Sequence, residues 1–472
     1  MQVLLFKENS PVTSEYLHNV LQYKESIIEK LKLARILTHR LPKIELYEQN
    51  DEYIEEYVVD KECYLFNFVG IIMIENFCLV IYPKYIKDIE KDYNGSQKKI
   101  IQILNVIEKF QTYHEGQYSS DGQVGLLAMM ISILRNYLDF GLYSSDKSAV
   151  EINGEGNILW EKTIDESTAY LIKDIPFYLD VFTEKNTLNE LDIIRKLHAA
   201  IVSEIVAQLQ PISSIFNLPD IALSAEKIED FGDVHYLEYI LEKELSMQFI
   251  TSKQIILREL LSYILKKYNQ EMTNSFEVYG TNSFNLVWED ICKKVYKDDL
   301  NEKLSSLGLK LFYEVEKNGE KKIVIDYREK KLLKHVVEAP VWKKKDSVEG
   351  IEARKSLELD VLHVNHERKR FEIFDAKYYS ITFSEKDIFG YPGINDITKQ
   401  YLYQLAFKKL AQINNYEFTN IFVIPKDELH EDNGDGVEYA MVELKILREL
   451  GLENIKVIAR DCEVLYDQYL NA

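Results

Sequence analysis

Cysteine is scarce in this sequence, and its scarcity excludes two kinds of small, cross-linked fold. The 472 residues contain four cysteines, Cys63, Cys78, Cys292 and Cys462, and no two of them form a CxxC pair. Neither a disulfide framework nor a zinc ribbon is indicated, because both need closely or regularly spaced cysteines. We interpret the four residues as buried thiols.

Glycine and proline are also few. There are 18 glycines and 9 prolines, whereas 46% of the residues are apolar and 12% are aromatic. This composition is typical of packed cores and leaves little material for long flexible linkers, so it argues against extensive disorder. Because the chain is too long for one ordinary hydrophobic core, we expect two or three domains.

Long apolar runs are missing as well. No run reaches the roughly 20 residues needed to cross a bilayer. The beginning, MQVLLFKENSPVT, lacks the apolar core of a signal peptide. We therefore predict a cytoplasmic protein without a membrane partner. A GxxxxGK[ST] motif is also lacking, so we do not expect the chain itself to hydrolyse nucleotides.

Positive charge is in deficit. The 57 basic and 78 acidic side chains give a net charge of -21, which argues against broad attraction to phosphate, so any contact with nucleic acid must be local. Residues 320–345 reverse the sign, with nine Lys or Arg against four Asp or Glu. A solvated, lysine-rich face is the alternative interpretation of that stretch.

The first part of the chain, residues 1–110, is predicted to be a small module that contains strands. It combines a helical pattern at 15–37 with a β-rich piece at 64–86. We expect Gly70 and the pair Glu75–Asn76 to break the β-rich piece into hairpin-like strands.

Two further domains follow in the prediction. Residues 111–275 are mainly helical, with apolar residues recurring at intervals of three and four. They include a β insert at 151–164, in which Trp160 and Ile164 are available for packing. Residues 276–472 mix helical and strand patterns, which predicts an α/β domain.

The segment FEIFDAKYY carries the residues that suggest chemistry. On a strand, Asp375 and Lys377 emerge on one face, about 6 to 7 Å apart. Asp360 ends the polar face of the preceding predicted strand, SLELDVLHV, and the turn NHERKR is expected to fold both strands into a hairpin that brings Asp360 to Asp375. Glu358 faces the same side by alternation, so the first-strand carboxylate remains open between Glu358 and Asp360.

Paired carboxylates of this kind predict a metal site. They repel each other unless a cation lies between them, and hard oxygen ligands suit Mg²⁺, or alternatively Mn²⁺, rather than zinc. Such a metal activates water and stabilises charge on a phosphate oxygen, while a neighbouring lysine assists. A surface ion pair on an edge strand is the competing interpretation of a D-x-K tripeptide, but the apolar strand and the preceding acid favour phosphodiester hydrolysis.

These motifs resemble the PD-(D/E)xK nuclease superfamily, and more narrowly the LlaJI-type restriction endonucleases, relatives of the McrC nuclease subunit. The resemblance rests on FNLVWEDICKKVY, LELD, FDAKYY and PGINDITKQYLYQL, which cover most of residues 284–405. Leu359 stands in place of the nominal proline. The resemblance implies that residues 276–472 form a PD-(D/E)xK nuclease domain, a mixed sheet flanked by helices.

The resemblance also implies site residues. Asp360 and Asp375 would be the metal ligands, and Lys377 the catalytic lysine. Glu289 would be a supporting acid on the first-motif helix. Gln400 and Gln404, one helical turn apart, would reach the site or the DNA.

A partner is implied in the same way. The segment FVGIIMIENFCLVIYPKY resembles the N-terminal region through which McrC-type subunits engage their motor. We therefore expect a Mg²⁺-dependent subunit that cleaves double-stranded DNA with an AAA+ GTPase resembling McrB, GTP being used only by that partner. Two alternatives remain: a non-catalytic adaptor of the motor, and a stand-alone PD-(D/E)xK nuclease that acts on DNA ends or RNA.

Overall fold

The structure is a computed structural model that describes most of the chain. The described residues are 2–40, 62–87, 93–113, 126–144, 146–173, 175–188, 192–210, 213, 219–271, 277–317, 320–326, 331–345, 349–429, 432 and 434–472. The chain forms two compact units. The first comprises Met1–Val3, Ile72–Cys78 and Gly122–Tyr279, and the second Leu4–Ile71, Leu79–Asp121 and Gly280–Ala472.

The strands, in chain order, are β1 (Gln2–Lys7), β2 (Val12–Thr13), β3 (Leu37–Arg40), β4 (Cys63–Phe66), β5 (Val69–Ile74), β6 (Phe77–Tyr82), β7 (Asp146–Ile152), β8 (Asn157–Ile158), β9 (Ala169–Ile172), β10 (Ile175–Tyr178), β11 (Phe182–Leu188), β12 (Glu277–Thr281), β13 (Leu311–Lys317), β14 (Glu320–Asp326), β15 (Val341–Lys343), β16 (Gly350–Glu352), β17 (Val361–Asn365), β18 (Arg370–Ala376), β19 (Thr382–Phe383), β20 (Ile388–Phe389), β21 (Glu417–Lys426), β22 (Val437–Val442) and β23 (Ile455–Asp461).

The α-helices are α1 (Ser14–Val20), α2 (Glu25–Leu33), α3 (Tyr93–Tyr113), α4 (Leu126–Phe140), α5 (Trp160–Glu166), α6 (Ile193–Leu209), α7 (Val234–Met247), α8 (Thr251–Glu271), α9 (Phe284–Val295), α10 (Ile394–Asn414), α11 (Lys445–Arg448) and α12 (Cys462–Asn471), with short 3₁₀ turns at Ile228–Phe231 and Leu333–Val336. Among the helices of the described residues, none is both long and apolar enough to span a membrane. The predicted cytoplasmic location stays a prediction.

Helices dominate the first unit, as the three-and-four spacing predicted. Helices α4, α6 and α8 lie where that pattern was found, and α7, which the sequence did not single out, packs on α8. The side chain of Asp192 accepts a hydrogen bond from the amide of Ile194 at 2.9 Å and so caps α6. Most residues of α6 are buried, because its apolar positions extend around much of the helix.

The β insert of this unit departs from the prediction. After the turn that follows β7, only the two residues of β8 are extended, and α5 begins at Trp160. Trp160 and Ile164 are 55% and 57% exposed, so neither packs in a core. Both side chains, interpreted from the sequence as available for packing, are thus left exposed, and Thr163 is the residue that α5 buries.

The N-terminal part of the chain also differs in detail from the prediction. The helical pattern at 15–37 is split into α1 and α2, because Gln22 and Tyr23 adopt positive φ between them. The predicted hairpin turn at Glu75–Asn76 joins β5 to β6, but Gly70 lies inside β5 and does not break the β-rich piece. The break falls at residues 67–68, between β4 and β5.

A mixed five-stranded sheet organises the C-terminal part of the second unit. Its strand order is β17-β18-β21-β23-β22. The central pairs β18/β21 and β21/β23 are parallel, and the outer pairs β17/β18 and β22/β23 are antiparallel. Helix α10 makes the connection between the parallel neighbours β18 and β21, as such a crossover requires. The predicted mixed α/β character of this part of the chain is confirmed.

Helices cover both faces of this sheet. Neighbouring residues of a strand point to opposite faces. Ile373 packs in a core cluster with Tyr403 and Phe407 of α10, whereas the Phe374 ring stacks on Tyr296, just after α9, with 4.2 Å between centroids. The strand that carries Asp375 is therefore held between α10 and the end of α9.

Residues from the N-terminal part pack within the same unit as this sheet. The hydroxyl of Tyr378 donates a hydrogen bond to Glu8, and the hydroxyls of Tyr85 and Tyr466 lie 2.7 Å apart. Residues 4–71 and 79–121 thus share a unit with 280–472. The compact units group the chain differently from the three predicted domains (1–110, 111–275 and 276–472), whose boundaries stay predictions.

A buried ion pair lies at the C-terminal end of β23. The Nε of Arg460 is 2.9 Å from Oδ2 of Asp432, and neither side chain has exposed surface. The other guanidinium nitrogens bond to Tyr296 and Gln468. The Asp432 carboxylate accepts further bonds from backbone amides, including that of Asp461 at 2.9 Å. Every charged group of this pair is therefore satisfied within the protein.

Candidate active site

The hairpin of β17 and β18 brings Asp360 and Asp375 together, as predicted. Asn365 pairs with Arg370 at the turn, and Val361 pairs with Phe374 at the open end. Asp360 directly precedes Val361, and its Oδ2 accepts a hydrogen bond of 2.9 Å from the amide of Ala376. The carboxylate of Asp360 is thereby fixed beside the end of the strand that carries Asp375.

The predicted strand before the hairpin is shorter than expected. It begins at Val361, so the residues of SLELD lie outside it. The argument that Glu358 and Asp360 share a face by strand alternation was therefore wrong. Glu358 is exposed, and its backbone carbonyl accepts a hydrogen bond from the hydroxyl of Tyr403. It is Asp360 that interacts with Asp375.

Lys377 shares a face with Asp375, as the alternation of the strand predicted. Its Nζ lies 3.0 Å from Oδ2 of Asp375 and 2.7 Å from Oδ1 of Asp396. Burial lowers the pKa of Lys377, but the charges of Asp375 and Asp396 more than offset that effect, so the pKa is raised. The lysine is therefore held as a cation.

Asp396 is a site residue that the sequence analysis missed. It lies in the first turn of α10, where the helix dipole favours an acid. Besides its ion pair with Lys377, its Oδ2 accepts a hydrogen bond of 3.3 Å from the Tyr379 hydroxyl. The available signal was an acid at the start of the helix within PGINDITKQYLYQL, the segment recognised as following the D-x-K strand.

The carboxylate pair is electrostatically unfavourable as it stands. Burial and the neighbouring charge of Asp375 raise the pKa of Asp360 from its ordinary value of 3.8 to about 7. Asp375 is 5% exposed, and among the described residues its Oδ2 has no hydrogen-bond partner of good geometry, although Lys377 is 3.0 Å away. The site therefore holds negative charge that its surroundings only partly compensate.

Glu289 lies on α9, the helix that resembles the first motif. It forms an ion pair with Lys293, one turn later on the same helix. Burial lowers the pKa of Lys293, but Glu289 and then Asp360 raise it by more, so the net shift is upward. The pair Glu289–Lys293 therefore lies within electrostatic range of Asp360, and the supporting role of Glu289 stays a prediction.

The two glutamines of α10 are buried rather than exposed to a ligand. Gln400 is fully buried and donates a hydrogen bond of 3.2 Å to the carbonyl of Ile373. The side-chain oxygen of Gln404 accepts bonds from Asn420 at 2.8 Å and from the amide of Glu453 at 3.0 Å. The contacts described for both residues tie α10 to the sheet, and their role in binding DNA stays a prediction.

The donor set of the pair suits a hard divalent cation. Mg²⁺ and Mn²⁺ prefer carboxylate oxygens, and the buried Oδ2 of Asp375 is such an oxygen without a well-oriented donor. In the part of the chain that the structure describes, no group of three His, Cys, Asp or Glu residues is placed to hold a metal. A cation here would take its side-chain ligands from Asp360 and Asp375 and complete its shell with other oxygens, as Mg²⁺ commonly does with water.

Comparison with known families now identifies the class. A family model described as LlaJI restriction endonuclease matches residues 68–307 and 300–453, more than half of the chain. The match places the chain in the class of restriction endonucleases. It belongs to the LlaJI restriction endonuclease family, and the recognition made from its motifs is confirmed.

One curated relative and two solved structures are similar to this chain to different extents. The type II restriction enzyme BsuMI component YdjA of Bacillus subtilis (strain 168) is 27% identical over 360 residues, which are 74% of this chain and 70% of that protein. A chain in the half-complex of Thermococcus gammatolerans McrB AAA+ hexamers with bound McrC is 12% identical, with a TM-score of 0.39. The match covers 100% of this chain and 99% of that chain. A chain of the McrBC complex of the same organism is 12% identical, with a TM-score of 0.27. The match covers 63% of this chain and 88% of that chain.

Proposed function

We propose that this chain is the DNA-cleaving subunit of its restriction system and hydrolyses phosphodiester bonds with Mg²⁺ held by Asp360 and Asp375. The observation that carries the proposal is the meeting of Asp360, Asp375 and Lys377 at the end of one β-hairpin. Membership of a restriction endonuclease family supports double-stranded DNA as the substrate. The mixed sheet between helices supports a PD-(D/E)xK nuclease fold for the C-terminal part.

Each residue has a distinct part in this chemistry. The two carboxylates would hold the metal, which when bound would lower the pKa of a water ligand and stabilise charge on a phosphate oxygen. Lys377 stays protonated beside them, so its ammonium group can orient the attacking water or neutralise charge on the phosphate. Asp396 holds that ammonium group at 2.7 Å. Glu289 and Lys293 adjust the charge next to Asp360.

A partner completes the proposal. A chain with a net charge of -21 is poorly suited to finding DNA unaided. The relative from Bacillus subtilis is described as a component of a restriction enzyme, which supports an enzyme of more than one subunit here too. We propose an AAA+ GTPase resembling McrB as the partner, with GTP used by that partner and residues 1–110 as the docking region.

The test is plasmid cleavage combined with metal binding. We expect the chain, with its AAA+ partner and GTP, to cut plasmid DNA in Mg²⁺ and not in EDTA. Asp375→Asn should lower the cleavage rate by more than about 10³-fold, because the metal-centred terms are among the largest in such reactions. Calorimetric titration with Mg²⁺ should show binding to the wild type and none to Asp375→Asn.

Glu372→Gln is the matched control, because it removes a carboxylate from the same strand, β18, three residues away. It should cut at the wild-type rate. If Asp375→Asn cleaves as fast as the control, the nuclease assignment is wrong. That result would favour the alternative that the chain is a non-catalytic adaptor of the motor. Full cleavage by the chain without a partner would instead support the proposed active site and contradict the proposed need for an AAA+ subunit.

A further inference from the structure

The hairpin of β15 and β16 is a local exception in an acidic chain. Its strands pair Val341 with Glu352, Trp342 with Ile351, and Lys343 with Gly350. All six residues are exposed. Lys343 is followed directly by Lys344 and Lys345, which are also exposed. This hairpin includes the end of the lysine-rich stretch at residues 320–345. That stretch had two possible interpretations from sequence, a local contact with nucleic acid or a solvated face.

The apolar residues of the hairpin are inconsistent with a merely solvated face. Trp342 is 74% exposed and Ile351 is 80% exposed. They are directly opposed across the strands, so their side chains lie on one face as neighbours. On the other face, Val341 and Lys343 close over Gly350, where an added Cβ would come within 2.3 Å of Val341 Cγ1. A Trp–Ile pair is thus presented outward on two paired strands.

The charges around that pair suit an anionic partner. Lys343, Lys344 and Lys345 follow it on one strand, and the exposed Arg354 and Lys355 follow the other strand. Among the described residues, none of these five cations is paired with an acid. Lysine and arginine contacts to phosphates supply a large share of the affinity for DNA. In a duplex, apolar side chains inserted between base steps add contacts with the bases.

The hairpin is anchored to the segment that leads into the active site. At its base the amide of Ala353 donates to the carbonyl of Pro340 at 2.8 Å, and the Ser356 hydroxyl donates to the carbonyls of Val337 and Glu338. Leu359 is then buried in the core cluster beneath the sheet, and Asp360 follows. The hairpin is therefore a fixed projection just before the first carboxylate.

Chain length limits how far the hairpin can lie from that carboxylate. Eight residue steps separate Glu352 from Asp360, and even fully extended they span at most about 29 Å. One turn of duplex DNA is about 34 Å long. The hairpin therefore lies within the length of one duplex turn of Asp360, a distance that DNA bound at the two carboxylates can span.

We propose that the β15–β16 hairpin is a DNA-contacting element of this chain, in which Lys343, Lys344 and Lys345 bind phosphates and Trp342, with Ile351, contacts bases of the duplex. The proposal rests on the proposed function for its substrate, but it concerns binding and not cleavage. Apolar side chains that contact base steps beside basic residues are a known mode of duplex binding. A protein surface is the competing partner, and the basic residues favour DNA over it.

Binding can be tested separately from catalysis. In an Asp375→Asn background with Ca²⁺, fluorescence anisotropy would measure the affinity of the full chain for a 5′-labelled duplex across a range of salt concentrations. Replacing Lys343, Lys344 and Lys345 together by Gln should reduce the slope of log affinity against log salt by up to about 3, or about one unit for each phosphate contact. Trp342→Ala should weaken binding roughly tenfold with little change in slope.

Matched controls separate this site from general charge and aromatic effects. Lys98, Lys196 and Lys227 are exposed lysines in other parts of the chain, and their replacement by Gln changes the net charge equally. Trp160→Ala removes a tryptophan that is 55% exposed on α5. Both controls should leave affinity and slope unchanged.

Tryptophan fluorescence gives a second readout. The chain has three tryptophans, and Trp288 is fully buried. In a Trp160→Phe variant, DNA added to the protein should therefore quench the emission of Trp342 alone.

Hairpin variants that bind DNA like the controls would overturn the proposal, as would a wild type that binds no duplex. Hairpin variants that keep DNA affinity but lose the AAA+ partner would assign the hairpin to protein contact. If the hairpin effects appear but Asp375 proves dispensable for cleavage, the nuclease assignment fails and this inference stands.

Discussion

Two buried ionic clusters of the second unit have similar composition but opposite electrostatics. Asp432 and Arg460 form a fully buried pair in which backbone amides and side chains satisfy every charge, and the pKa of Asp432 is lowered, because hydrogen bonds from Asp461, Arg460 and two glycine amides outweigh the effect of burial. At the hairpin end, burial and Asp375 raise the pKa of Asp360 to about 7. The first cluster has no capacity left for a ligand, whereas the second has negative charge in excess.

The difference shows which buried charges stabilise the fold. A buried carboxylate with a complete set of donors fixes the elements around it. Asp432 accepts bonds from the side chain of Arg460 and the amide of Asp461 at the end of β23, and Arg460 in turn bonds to Tyr296. A buried carboxylate that faces another one costs folding free energy, and such a cost is common where a ligand supplies the missing charge. Three changes test this comparison.

The largest effect is expected when the satisfied cluster is broken. Arg460→Met leaves Asp432 buried without its cation, which should lower the free energy of unfolding by about 3 to 5 kcal/mol. Urea denaturation followed by circular dichroism would measure the loss. Arg370→Met is the control, because the Arg370–Glu417 pair is exposed and its atoms are 3.4 Å apart. That change should cost less than about 1 kcal/mol.

A second variant sharpens this prediction. Combining Arg460→Met with Asp432→Leu removes both charges, so the double variant should be more stable than Arg460→Met alone. If the double variant is the less stable of the two, the pair does not act through its charge, and the contrast with the active site disappears.

A smaller effect is expected when the support of the active-site lysine is removed. Asp396→Asn should leave Lys377 beside Asp375 but less firmly held, and cleavage should slow by roughly 10- to 100-fold, as for other residues that position a catalytic group. Tyr379→Phe, which removes only a 3.3 Å bond to Asp396, should have less effect.

A double-variant comparison shows whether Asp396 acts through Lys377. Lys377→Ala combined with Asp396→Asn should cleave no more slowly than Lys377→Ala alone. Multiplicative losses would mean that Asp396 acts independently of the lysine.

A further effect concerns pH. The folded pKa of Asp360, about 7, lies above its ordinary value of 3.8, so the folded state binds this proton more tightly than the unfolded state does. The resulting stabilisation is present below about pH 3.8 and is lost as the pH rises towards 7. In EDTA, the free energy of unfolding of the wild type should therefore fall relative to that of Asp360→Asn as the pH rises from about 3.8 to 7. The fall should be at most about 1.4 kcal/mol per pH unit. Asp432 behaves oppositely, because its lowered pKa makes its contribution fall as the pH drops.

Denaturation curves at pH 5, 6 and 7 would measure the difference. Parallel stability profiles of wild type and Asp360→Asn would show that the pair carries no electrostatic cost, and the two clusters would then be alike.

Much of the site could be predicted because it depends on local geometry. Alternation along one strand determines that Asp375 and Lys377 share a face, and a four-residue turn between β17 and β18 determines that Asp360 arrives beside them. These relations span fewer than twenty residues, so the sequence pattern is sufficient. The beginning of β17 was misplaced, because nothing in SLELD distinguishes a strand from an extended segment.

The missed features depend on packing between distant segments. Asp396 reaches Lys377 only because α10 lies across the sheet, and neither strand pattern nor spacing reports that position. Burial of Gln400 and Gln404 has the same origin, since both side chains bond to strands. Exposure of Trp160 was equally hidden, because an apolar residue in a sequence does not reveal whether a partner surface exists.

The hydrogen bond from Tyr378 to Glu8 joins groups 370 residues apart, and this separation has a consequence for biosynthesis. At roughly 5 to 20 residues per second, a ribosome needs about 20 to 75 s to travel from one partner to the other. Glu8 lacks this hydrogen-bond partner during that time, and β23 and α12 emerge later still. A chain released early would thus lack part of the sheet that carries Asp375, so a prematurely terminated product would not contain the complete surroundings of the proposed active site.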